Sequence, residues 1–231
     1  VQRSDYLYNF IDKQGNFLSD VWFSHVHSFN EGFAEVQRRS GEWNFIDRQG
    51  NYLSEQWFNS VDDFKDGLAR VQRRSDYLFN FIGTNGDYLF NEWYKWVDAF
   101  KDDLAVVQRA DELYNLIDKK GNYLFNKWLH WVTNFNDGLA RVQREDTLYN
   151  LIDKNGKILS NEWYRWVYDF KDGLAKVERS YKEYNFINKD GKLLSDEWFI
   201  DACYLDDGFA EVQRTNGEWG KIDKFGKLLE Y

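Results

Sequence analysis

The chain has 231 residues and carries 30 Lys and Arg against 39 Asp and Glu, a formal charge of −9. That excess of acid excludes a broad hold on nucleic-acid phosphates, which runs on cationic side chains. The 11 tryptophans and 19% aromatic content exclude a disordered chain. A single cysteine, Cys203, excludes an internal disulfide framework. No apolar run reaches the length of a membrane-spanning helix, so membrane insertion is not expected. Methionine is absent, so a chain opening at Val1 reads as a processed product, a fragment or part of something longer. No secretory signal is visible. This favours a soluble cytoplasmic chain, with secretion left open by the missing start.

Self-similarity runs the whole length. Gly15, Gly50, Gly86, Gly121, Gly156, Gly191 and Gly226 fall 35 or 36 residues apart. Ile11, Ile46, Ile82, Ile117, Ile152, Ile187 and Ile222 precede them by four residues. Trp22, Trp57, Trp93, Trp128, Trp163 and Trp198 follow by seven. Units open at Val1, Val36, Val71, Val107, Val142, Val177 and Val212, the last incomplete, and together make one repeat array over residues 1–231.

In chain order, Leu68 to Arg73 alternates as a strand across a unit start. Tyr149 to Ile152 reads as the second strand. Asp153-Lys154-Asn155-Gly156 is a tight turn, with glycine where a positive φ is needed. Lys157 to Leu159 continues as a third strand and completes a hairpin. Beyond it, Ser160, Trp163, Val167, Phe170 and Gly173 fit a short capped helix. The β preference of Trp, Tyr, Val and Phe favours strand or irregular structure instead.

A unit this short closes its core only against its neighbours. The expected fold is mainly β: short antiparallel strands in tandem 35-residue repeats, stacked as an open solenoid or superhelix. Alternatives are a closed β-propeller, or a β-hairpin plus a short helix per repeat. The chain stops part-way through its seventh unit, which favours the open array over a ring.

The pattern Phe-x-Asp-Gly-Leu-Ala-x-Val, followed by aromatic-Asn-x-Ile-Asp-Lys-x-Gly, resembles the bacterial WG-repeat (tryptophan–glycine) family. The last unit carries the dipeptide itself as Trp219-Gly220. Elsewhere the glycine is replaced, as in Tyr8-Asn9, Trp43-Asn44, Phe79-Asn80, Tyr114-Asn115, Tyr149-Asn150 and Tyr184-Asn185. Asparagine substitutes for glycine where a left-handed backbone is needed. The resemblance implies a repeat architecture and carries over no catalytic residue.

Arg3, Arg38, Arg73, Arg109, Arg144, Arg179 and Arg214 form the one charged column present in every unit. We read it as a structural ladder in preference to a row of anion sites. Arg38 would share a strand face with Val36 and Ala34, and the turn acids Asp12, Asp47, Asp118, Asp153 and Asp223 are the expected partners. The turn at Asp153 to Lys157 lacks the further oxygens of a calcium loop. His25 and His27, with Cys203 in the column of His27 and His130 apart, supply too few ligands for a metal. No cofactor is expected. No nucleophile–base arrangement is present, so an enzyme is not expected.

A second tryptophan column is filled only by Trp96, Trp131 and Trp166; its other members include His25, Ser60 and Asp201. A column polar elsewhere is not deep core, so these tryptophans are expected to line an exposed stripe beside Tyr94, Tyr164, Lys95 and Arg165. The competing reading is packing between units. The functional expectation is a non-catalytic scaffold that binds a protein partner through this stripe. The alternative is a carbohydrate-binding module that stacks sugars on Trp96, Trp131 and Trp166.

Overall fold

A computed structural model describes residues 1–133, 135–136, 138–204 and 209–230. The chain divides into two compact units, one of Val1–Glu112 with Leu116–Tyr123 and the other of Leu113–Asn115 with Leu124–Tyr231. Among the described residues the regular structure is all β, and six antiparallel sheets follow in chain order. The first holds β1 (His25–Val26), β2 (Phe33–Gln37) and β3 (Trp43–Asp47). The second holds β4 (Ser60–Val61), β5 (Leu68–Gln72) and β6 (Phe79–Gly83). The third holds β7 (Trp96–Val97), β8 (Leu104–Gln108) and β9 (Tyr114–Asp118). The fourth holds β10 (Trp131–Val132), β11 (Leu139–Gln143) and β12 (Tyr149–Asp153). The fifth holds β13 (Trp166–Lys171), β14 (Leu174–Ser180) and β15 (Glu183–Asn188). The last holds β16 (Asp201–Tyr204), β17 (Phe209–Gln213), β18 (Trp219–Asp223) and β19 (Leu228–Glu230). Within each unit the sheets succeed one another as in a solenoid, and no sheet closes into a barrel.

The middle strand alternates as its sequence dictates. In β5, Ala69 and Val71 are buried while Arg70 and Gln72 reach towards solvent. Ala69 pairs with Ile82 and Val71 with Asn80, a register repeated by Ala140 with Ile152 and Val142 with Asn150. The sheets are out of phase with the sequence units: the middle strand straddles each unit start, as β8 does at Val107. The expected third strand at Lys157–Leu159 is reduced to one bridging pair, Ile152 with Ile158. Its place in the sheet is taken by the short strand at the second tryptophan column, which pairs with the other edge of the middle strand: Trp131 with Gln143 and Val132 with Val142. Ser160 caps no helix. Its hydroxyl accepts the Glu162 N–H at 3.2 Å and meets the Tyr164 hydroxyl at 2.8 Å.

The asparagine column does not work through its backbone. None of its six residues, nor Gly220, has a positive φ. Asn150 is fully buried, and its side chain is the hub of the turn beyond it. Its Nδ2 donates to the carbonyls of Ser160 and Glu162, both at 2.8 Å, and its Oδ1 accepts the Leu151 N–H at 2.7 Å. Asn9, Asn44, Asn80 and Asn185 donate in the same pattern, ten and twelve residues ahead. Gly220 has no side chain to do this, and there the following segment pairs as a regular strand, with Gly220 opposite Glu230.

Neighbouring repeats share their core. Phe45 of the first sheet clusters with Phe58, Phe64, Ala69, Val71 and Ile82, and Leu53, Tyr88 and Trp93 pack against the group. Leu151, Tyr164, Val167, Ala175, Val177 and Ile187 do the same in the second unit. Removing this much apolar surface from water supplies the driving force that one repeat alone lacks.

Candidate functional site: a cation–aromatic stack

The invariant arginines stand at the end of the middle strand, not on its core face. β2 stops at Gln37, and Arg38 opens the next turn. Their partners are not the expected acids. Arg3 pairs with Asp5, Arg38 with Glu42, Arg73 with Asp76, Arg144 with Asp146 and Arg179 with Glu183, all in the first turn. The acids of the second turn cap their own backbone: Asp153 Oδ1 accepts the N–H groups of Asn155 and Lys157, each at 2.9 Å. Five of the guanidinium groups also lie over the first tryptophan of their repeat: Arg3 over Trp22, Arg38 over Trp57, Arg73 over Trp93, Arg144 over Trp163 and Arg179 over Trp198, at 4.3–4.8 Å from the centroid. The hydrogen bonds from Arg144 hold the Asp146 carboxyl below its ordinary range, and Arg73 does the same to Asp76. Arg109 pairs with Asp111, and Arg214 reaches Glu197 at 3.2 Å.

The second tryptophan column is a separate construction. Trp96 is 45% exposed, while Trp131 and Trp166 are half-buried. Tyr94 and Tyr164 do not join them. They are 1% and 0% exposed, and their hydroxyls are tied down, Tyr94 to Tyr123 at 2.6 Å and Tyr164 to Ser160. Burial pushes both phenols up from their ordinary range, Tyr123 adding to the effect at Tyr94. Tyr94 and Tyr164 bridge Phe79 and Tyr149 at single pairs, whereas Trp96 and Trp166 pair in the edge strand of the next sheet, so one strand alternation does not run through both columns.

A cation missed at the sequence level organises the stripe: the central residue of the middle strand, Arg70, Arg141 or Lys176. Arg141 lies over Trp131 at 5.5 Å and over Trp166 of the next repeat at 5.1 Å, and it donates to the Val167 carbonyl. Tyr149 meets both rings edge-on, at 6.2 and 4.7 Å. In the first unit Arg70 lies over Phe79 and Trp96, bonds Asp62 at 2.9 Å and donates to the Val97 carbonyl at 2.8 Å. Lys176 sits over Tyr168 and Tyr184 and donates to the Ala202 carbonyl. The column at residue 35 in each period, with Glu35, Arg70, Arg141, Lys176 and Glu211, was the available signal. At the flanks, Lys95 pairs with Glu112 and Arg165 with Glu178.

The two arginines differ in one respect. Arg70 Nε has Asp62 as its acceptor, whereas the position of Asp62 is Thr133 in the Arg141 repeat. Thr133 Oγ1 accepts the Arg141 backbone N–H instead. Arg141 Nε is left buried with no hydrogen-bond partner, the one such side-chain atom among the described residues.

His25 Nδ1 meets Gln37 Oε1 at 2.6 Å, and His27 pairs with Glu35. Cys203 lies 3.8 Å from Glu211, the equivalent pair. Among the described residues, no group of three His, Cys, Asp or Glu is placed to hold a metal. Among the described residues, no helix is long and apolar enough to cross a membrane.

Small consecutive sheets, each completed by the next repeat and joined by recurring arginine–tryptophan contacts, define a tandem-repeat β protein. The chain belongs to the WG containing repeat family, whose pattern matches residues 10–43, 43–75, 116–147 and 151–182, more than half its length. No curated protein matches it. Among solved structures it is similar to the computationally designed Ika8 protein, at 14% identity over 94% of this chain and 77% of that one (TM-score 0.35). It is similar to BamB from Moraxella catarrhalis at 13% identity, over 95% and 71% (TM-score 0.34). It is also similar to the WD40 β-propeller domain of Doa1 at 12% identity, over 88% and 79% (TM-score 0.29).

Proposed function

We propose that this chain is a non-catalytic repeat scaffold that binds a protein partner along the Trp131–Arg141–Trp166 stack. Trp96 with Arg70 offers related chemistry in the first unit, and Lys95 and Arg165 stand at the flanks. The observation that carries the reading is the Arg141 guanidinium lying over two half-open tryptophans, Trp131 and Trp166. Tryptophan and arginine are also the side chains that anchor protein interfaces most strongly.

Sugar stacking fits the same residues less well. A sugar needs an open ring face, and the Arg141 guanidinium already lies over both Trp131 and Trp166.

The test is capture by the immobilised intact chain from its own cell extract, read by mass spectrometry. Arg141→Met keeps the stem and removes the donor, and Trp131→Ala with Trp166→Ala removes the platform. Both are expected to lose the captured protein while thermal unfolding stays cooperative. Unchanged capture by these variants would overturn the reading, as would tryptophan-dependent binding to glycans alone.

A further inference from the structure

Where repeats meet in the first unit, a pair of aromatic rings fills the seam. Phe23 meets Tyr52 and Phe58 meets Tyr88, edge to face at 6.4 Å, and Tyr94 meets Tyr123 through the two hydroxyls. The inner member of each pair is buried. The same columns place Leu129 and Ile158 at one seam of the second unit. Neither has a ring. Leu129 is half-buried where Phe23, Phe58, Tyr94, Tyr164 and Phe199 are closed to solvent, and Ile158 is exposed. A groove of about 1000 Å³ opens there, lined by both residues together with Phe125, Trp128, Ile152 and Trp163. A seam short of two rings, walled by tryptophans, is shaped for an aromatic guest, since apolar cavities take up aromatic molecules in preference to water.

Charge narrows the guest. The outer tyrosine aims its hydroxyl at the preceding repeat: Tyr88 Oη donates to Gln56 Oε1 at 2.8 Å, and Tyr123 Oη to Glu92 Oε2 at 3.4 Å. The column of Gln56 and Glu92 continues as Glu162 and Glu197, but at the groove it is Lys127. Where Gln56 and Glu92 offer a hydroxyl an acceptor, Lys127 offers an ammonium donor. The other ionisable side chains of the lining are Arg144 and Asp146, which neutralise each other as an ion pair, and His130 and Glu145. We propose that this groove binds a small monocyclic aromatic carboxylate. Its ring lies between Trp128 and Trp163 in the space left by Leu129 and Ile158, and its carboxylate faces Lys127. None of the lining residues belongs to the Trp131–Arg141–Trp166 stack, so this site and the proposed partner surface stand or fall separately.

The experiment uses the intact chain with 4-fluorobenzoate, observed by fluorine NMR, and neutral 4-fluorobenzyl alcohol as the comparison. Wild type is expected to give a saturable shift with the carboxylate and weaker binding of the alcohol. Leu129→Phe with Ile158→Tyr restores the rings found at the first unit's seams and is expected to abolish both signals while raising the thermal midpoint. Lys127→Glu, the charge carried by Glu92 and Glu162, is expected to weaken the carboxylate about tenfold and the alcohol less than about twofold. The absence of a saturable shift in wild type overturns the proposal, as does unchanged binding in the folded ring-restored variant. If that variant fails to fold, Lys127→Glu decides alone: an unchanged preference for the carboxylate overturns the proposal.

Discussion

Gly86 rests against the backbone of the repeat before it: a Cβ built there would stand 2.7 Å from the Leu53 carbonyl oxygen. Gly15, at the same turn position, has a similar φ, +87° against +84°, and nothing within 4 Å. Alanine at either site meets the same left-handed strain, about 1–2 kcal/mol. Only Gly86→Ala also forces two repeats apart. Urea unfolding is expected to show a loss of about 1–2 kcal/mol for Gly15→Ala and at least about 3 kcal/mol for Gly86→Ala. Equal losses would mean that the close approach is not part of the stacking.

The asparagine hub sets a second expectation. Asn150→Leu keeps the volume but strands one buried carbonyl, one part-buried carbonyl and a buried N–H, at a cost of about 2–4 kcal/mol in urea unfolding. A loss below about 1 kcal/mol would assign the turn's order to its apolar neighbours.

Strain in the turns offers gains. The first-turn position with positive φ is glycine at Gly41 and Gly217 but Thr147 in the second unit, at φ 66°, a poor fit for a β-branched residue. The two-residue hairpin loop is Asp66-Gly67, with both φ positive, yet it becomes Asp102-Asp103 one repeat later. Thr147→Gly and Asp103→Gly are each expected to stabilise by about 0.5–1 kcal/mol, since relieved strain outweighs the added chain entropy. Asp103→Gly also gives up an exposed ion pair with Lys119, which is worth little. A fall in the thermal midpoint for both variants would contradict this.

Period, the first two strands of each unit and the turn glycines were legible because each depends on local chemistry repeated in register, whereas the third strand at Lys157–Leu159 was misplaced. What stayed hidden depends on contacts between residues far apart in the sequence or in different repeats. Asn150 looks like a glycine substitute in a column, and only its bonds to Ser160 and Glu162 reveal the hub. Tyr94 neighbours Trp93 in sequence, but its hydroxyl belongs to Tyr123 of the next copy. Arg141 is one member of a mixed column, and its role needs Trp166 from the following sheet. The groove is legible in retrospect as two columns that lose their rings together, at Leu129 and Ile158.

Glu35 gives the protein a pH dependence. Burial pushes its carboxyl up to about 6, with the Asp63 charge adding to the rise and His27 opposing it. A carboxyl whose folded pKa exceeds its unfolded value takes up a proton on folding. Its contribution is therefore full below the unfolded pKa and is lost as pH rises through about 6. Glu35→Gln mimics the protonated form. Its thermal midpoint is expected to exceed that of wild type most at pH 7, with the difference shrinking towards pH 5. A difference that grows on acidification would contradict the assignment.

The reading of the second tryptophan column as a recognition surface is tested most directly by comparing Trp96→Ala with Trp93→Ala in one unfolding experiment. Trp93 packs on the shared core beneath Arg73 and against Tyr88. Its loss is expected to cost about 3–5 kcal/mol. Trp96, 45% exposed, is expected to cost about 1 kcal/mol. Equal costs would place Trp96 among the packing residues and take the first unit's Trp96–Arg70 pair out of the proposed surface.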